Sequence, residues 1–325
     1  MVKQLIRYHI KQGIWPLACF ILLAIFSYGF GSYTVINEFE NYEASQQPAL
    51  LNTVLVSPFF AGFAAILIAV FAILMLGSER GSGRSLILHA LPFPKVWLFW
   101  IKWSIGVVTL IVFPIIGFFV SWLLLQAFGG INPFDYVTWS SLFQDFGLFL
   151  LFDVTILTIF LFAGTIAGDI IGQLLLGTFF LFLNYFTYFS IYAVALLGFG
   201  VTYEELDKPT NFLMTITTPF ALFFESNVDL NLTYPVLFCF ALTIALLFFG
   251  SRLYIRGANE RLGRFTIFPK LHPVLIITFS IYTTILLAGI IGLISSENQF
   301  LYWLAIVILA WPTFSSYRRM IGWSR

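Results

Sequence analysis

Long apolar runs separated by short polar clusters set the pattern of this chain. Each run approaches the roughly 20 apolar residues that a bilayer crossing requires. The runs predict about eight spanning helices, over 15–36, 56–77, 96–128, 141–164, 174–199, 232–250, 273–294 and 300–316. They do not alternate with a period of two and are too long for barrel strands. Backbone groups in lipid must be satisfied within the segment, which leaves helices. Within residues 2–14, Lys3, Arg7 and Lys11 recur every four residues, and so do Ile6, Ile10 and Ile14. One helical face is then basic and the other apolar, as in a helix lying along a membrane surface. At 1.5 Å per residue the run 96–128 would reach about 50 Å, well beyond a core of about 30 Å. It must tilt, kink at Pro114 or begin with an extension into water.

Composition agrees with this pattern. The chain has 325 residues, of which 60% are hydrophobic and 10% charged, with a mean hydropathy of +0.96. A water-soluble domain carries about 25% charged residues. The fold class expected is therefore all-α, a polytopic helical membrane protein. Charge supplies the orientation. Lys3, Arg7, Lys11, Arg80, Arg84, Lys95, Lys102, Arg252, Arg256, Arg261, Arg264, Lys270, Arg318, Arg319 and Arg325 all fall on one side, leaving Lys208 alone among the acids of the other. The basic side is expected to be the cytoplasm, with both termini there and an even number of crossings. The connection between the fourth and fifth spans has no Lys or Arg and is placed by parity. The apolar run after Lys11 is too long for a signal peptide and has no small-residue cleavage site, so an uncleaved anchor is expected. Part of the outer loop at about 200–231 is expected to dip into the membrane interface through its Phe-rich stretch. Three units follow: a surface helix at 1–14, a six-helix body at 15–250, and a loop with two further spans at 251–325.

Candidate chemistry is sparse. Cys19 and Cys239 sit in apolar runs and predict no disulfide framework. His9, His89 and His272 fit no metal-ligand spacing. No cofactor, no nucleic-acid footprint and no catalytic cluster is expected, so the chain does not read as an enzyme. The stretch Gly77 to Ser85 resembles a phosphate loop only superficially: aligned on Gly83, the Lys position is Arg84 and the first Gly position is Ser78. Asp145 and Asp153 lie in the fourth span, roughly 80° apart on the helix. An intramembrane carboxylate is a functional candidate by default, so both are candidates for a translocation path. Asp153 is protonated, faces a water-filled path or bonds a neighbouring helix. Gly164, Gly168 and Gly172 permit close helix approach at a tight turn.

Arg84 to Leu91 fits a two-turn helix stopped by Pro92 and Pro94, with Leu88 and Leu91 on one face. Such a helix, held between two membrane helices, is shaped to dock into the groove of a soluble partner. Here the sequence resembles a family. Glu79, Gly83, Leu88, Leu91, Pro92, Lys95 and Lys102 match the cytoplasmic loop of ABC-2-type ABC transporter permeases: Glu, a Gly-Thr, a Leu-rich turn, a Pro, a basic residue three later and a Lys seven beyond. Arg84 stands where that family usually has a small hydroxyl residue. The resemblance covers about residues 1–250. It implies a coupling helix in contact with separate ABC ATPase subunits, a second permease subunit, and a bacterial plasma membrane. Glu79, Arg84 and Lys95 would make polar contacts with the ATPase, Leu88 and Leu91 would fill its groove, and Pro92 would set the exit of the loop. Glu260, Gly263, Phe265 and Phe268 look like the second loop of a Gram-positive-type branch that includes acetoin-utilisation transporters, which implies acetoin or an envelope-related substrate. The alternative is a proton-coupled secondary transporter using Asp153.

Overall fold

A computed structural model describes residues 2–56, 61–81, 94–202, 233–257, 264–295 and 298–321. Among them run nine α-helices and no named strand: α1 Val2–Glu38, α2 Gln47–Val56, α3 Ala61–Gly81, α4 Lys95–Gly129, α5 Trp139–Ile166, α6 Ile170–Ala193, α7 Thr233–Arg256, α8 His272–Ile294 and α9 Gln299–Met320. Seven of them are long and apolar enough to cross a bilayer. The protein is an all-α, multi-pass membrane protein. The Phe-rich part of the outer loop lies outside the described residues.

The second expected span, 56–77, is met by α3, and a short helix that was not expected, α2, precedes it. α2 has 10 residues, too few to cross alone, and α3 has 21, apolar until Glu79. Two carbonyls of α2 accept bonds from neighbouring helices, since lipid offers none. Ser121 of α4 donates to the Val54 carbonyl at 3.2 Å, and the Tyr28 hydroxyl of α1 donates to the Val56 carbonyl at 2.8 Å.

α1 runs unbroken from Val2 to Glu38. The stretch with basic and apolar stripes is helical, but it continues directly into the first span. α4 meets its excess length as one 35-residue helix that passes through Pro114. Gly130, with φ of 61°, ends it, and the Ile131 amide returns to the Leu125 carbonyl at 3.1 Å.

α5 is the hub. Of its apolar window 61% is buried, against 17% for α9. It packs on α3, α4, α6 and α7. The main core joins α1, α3, α4, α5 and α7 through Phe20, Tyr28, Phe71, Phe99, Phe113, Ile156 and Leu247. A second cluster seats α2 between α1, α4 and α5, through Leu51, Leu55, Leu125 and Phe149. α8 and α9 pack on each other, and α8 joins the body against α6 through Phe179, Ile276 and Phe279. Gly117 of α4 faces Tyr28 of α1, and a Cβ there would collide with the Tyr28 ring.

Gly117→Ala should therefore cost about 1–3 kcal/mol through overpacking. Gly147→Ala, whose new Cβ meets nothing within 4 Å, should be neutral or slightly stabilising. Thermal denaturation of the two variants in detergent checks the contrast.

Candidate functional site at the foot of α3

The last turn of α3 brings Glu79 and Arg80 to the end of the bundle that carries most of the basic residues. Neither lies in a loop. Glu79 is 1% exposed and Arg80 4% exposed. Glu79 Oε2 pairs with Lys102 Nζ of α4, and Lys102, at 0% exposure, also donates to the Met75 carbonyl at 2.7 Å. Burying two charges costs solvation, which is recovered only when the pair is close and further hydrogen bonds satisfy the groups. The Met75 carbonyl supplies one of those bonds.

Arg80 ties α3 to three more elements. Its guanidinium donates to the Gly164 carbonyl at the end of α5 and to the Ala167 carbonyl in the α5–α6 turn, the latter at 2.6 Å. It also lies 5.7 Å from the centre of the Tyr254 ring of α7, within cation–π range. Beside it, Gln173 of α6 is fully buried and donates to Phe160 at 3.0 Å and Ala72 at 3.2 Å. Its amide occupies the space left by Gly77 and Gly164: a Cβ on Gly77 would come within 2.5 Å of Gln173 Oε1, and one on Gly164 within 2.6 Å of Nε2.

The tight turn expected at Gly164 to Gly172 is present. Asp169 caps α6 by accepting from the Gly172 amide at 2.6 Å. Half-burial pushes its carboxyl up, and that amide pulls it back down. The second basic loop returns to the same turn: Ala167 and Thr266 form an antiparallel bridge, with the Ile267 amide on the Ile166 carbonyl at 2.9 Å. Gly172 has no room for a side chain, because a Cβ there would strike the Phe265 carbonyl.

Several expectations can now be placed. Glu79 is buried and pairs with Lys102. Lys95 is half-buried at the start of α4. Arg84, Leu88, Leu91 and Pro92 lie outside the described residues, as do Glu260 and Gly263. Asp145 is half-buried and accepts from Asn52 Nδ2 of α2. Asp153 is 1% exposed, and neither of its oxygens has a hydrogen-bond partner. The two share α5 but not a site: one faces the short helix and the other the main core. Cys19 and Cys239 are free, and the described residues hold no cluster of metal-ligating side chains. Arg80, Gln173 and Tyr28 were not anticipated as functional. Arg80 reads in sequence as one more basic loop residue, and its signal is only the unbroken apolar run that precedes it.

Comparison with family models, with curated proteins and with solved structures finds no match.

Lys102→Met should destabilise the protein by about 3–5 kcal/mol, because it removes the cation from a buried carboxylate. Adding Glu79→Gln to Lys102→Met should restore most of the loss. Thermal midpoints of the parent, both single variants and the double variant in one detergent measure the coupling.

Proposed function

We propose that this chain is the membrane-spanning permease subunit of an ATP-driven transporter of the ABC-2 type. It works in a bacterial plasma membrane with a separate ATPase subunit and a second permease chain. One observation carries the reading. The connection between α3 and α4 is closed at its root by the buried Glu79–Lys102 pair, and Arg80 fixes that root to α5 and α7. The charged residues that begin and end the family-like pattern are thus the two that meet.

A lever needs a rigid root. Packed interiors are bistable rather than continuously deformable, so a push on a clamped connection moves whole helices. Force applied to residues 82–93 would reach α3 and α4 through the ion pair, and α5 and α7 through Arg80. Leu88 and Leu91 would fill the groove of the ATPase, Arg84 would make its polar contact and Pro92 would set the exit of the loop; Lys95 stands at the entrance to α4. Glu79 belongs to the root instead of the contact. ATP is hydrolysed on the partner, and the membrane helices switch between two packings.

Purification of the tagged chain from native membranes in mild detergent tests this reading. A stoichiometric ATPase subunit should copurify with the parent and be lost with Leu88→Asp plus Leu91→Asp. Unchanged association and transport in that double variant would refute it.

A further inference from the structure

The described carboxylates that leave the surface are matched with donors, with one exception. Glu79 has Lys102, Asp145 has Asn52, and Asp169 has the Gly172 amide. Asp153 is as buried as Glu79, yet both its oxygens are without a partner.

Among the described side chains, the surrounding helices offer no cation within reach. α3 carries Glu79 and Arg80, and α4 carries Lys95 and Lys102. Arg80 is held by the carbonyls of Gly164 and Ala167, eleven to fourteen residues further along the chain. That is about 16–21 Å along the axis of α5. Lys102 is committed to Glu79 and Met75. α7 brings Cys239, which bonds Thr155, and Tyr234, while its Arg252, Tyr254 and Arg256 lie at the basic end. α6 brings only phenols, Tyr185, Tyr188 and Tyr192, and α2 brings no titratable group. From α1, Tyr28 lies within electrostatic range of Asp153, but its hydroxyl hydrogen is given to the Val56 carbonyl.

An ionised carboxylate in such surroundings has neither solvent nor counter-charge, and the neutral acid is the form that avoids this cost. We propose that Asp153 is a proton-binding site, its carboxyl holding one proton at neutral pH within the membrane. The site has a mechanical consequence. The same Tyr28 that lies in range of Asp153 donates to the Val56 carbonyl of α2. Loss of the proton would place a negative charge near that contact and weaken the seating of α2. Proton occupancy is therefore linked to the packing of α2 against α1.

The test uses dicyclohexylcarbodiimide, an apolar reagent, on the full chain in native membranes. The acid proton passes to a carbodiimide nitrogen and the carboxyl oxygen adds to the central carbon; rearrangement then gives a stable N-acylurea, with no other reactant and no leaving group. Peptide mapping by mass spectrometry should find the adduct on Asp153 at neutral pH, retained in Asp153→Glu and diminished at alkaline pH. Asp153→Asn, which matches the neutral acid in shape, should lose the adduct and keep the parent thermal midpoint. An unlabelled Asp153 in folded parent protein would overturn the proposal. So would equal labelling by a water-soluble carbodiimide, or a lowered midpoint in Asp153→Asn. None of these readouts involves an ATPase, so they are independent of the transporter reading.

Discussion

Nothing in the interior of a bilayer can hydrogen-bond a stray carbonyl or hydroxyl, so each polar group must find its partner within the protein. Much of the architecture follows from that shortage. Hydroxyls within single helices turn back on their own backbone, as Thr158 does to Val154 at 2.7 Å and Ser280 to Ile276 at 2.6 Å. Others bridge helices: Thr155 meets Thr243 between α5 and α7 at 3.1 Å, and Thr284 meets Thr313 between α8 and α9 at 2.7 Å. Each such bridge contributes about 0.6–2 kcal/mol, modest singly but directional. The bridges fix which face of each helix looks inward where apolar contact alone would allow rotation.

The same shortage concentrates structure at the basic end. Two connections widely separated in sequence meet there on one short turn. The first arrives through Arg80, which caps the carbonyls of Gly164 and Ala167. The second arrives through Thr266 and Ile267, which pair with Ala167 and Ile166. Ala167 is common to both. Its carbonyl receives the Arg80 guanidinium, while the Ile166 carbonyl accepts the Ile267 amide and the Gly168 amide donates to the Phe265 carbonyl. A displacement of either connection must therefore be felt at the α5–α6 turn, and through α5 by the main core.

Apolar periodicity made the helices legible, because a crossing needs a long run and this chain has few polar interruptions. Nearly every span lies where its run predicts. The short helix before the second crossing was harder to see, because Asn52 within its apolar stretch reads as part of a loop. The partners of charged residues were not legible. Glu79 and Lys102 are 23 positions apart and look like members of a basic loop; only the antiparallel return of α4 along α3 brings them together. Asp153 was identified as exceptional from its depth alone. What sequence could not supply was the absence of any described donor around it, since that depends on the faces of six other helices.

The pairings also impose an order on biosynthesis. A chain entering a membrane from its N-terminus presents Asn52 long before Asp145, 93 residues later, and Glu79 before Lys102. Until each second partner emerges, the first must wait in water or in the shelter of the insertion machinery. α2, too short to remain across a membrane alone, gains its seat only when Ser121 of α4 has arrived to take the Val54 carbonyl. The first three helices are thus an unfinished assembly, and α4 and α5 are the segments that complete it. Truncation after α3 would leave a fragment with its polar groups unsatisfied, the kind of product that membrane quality control removes.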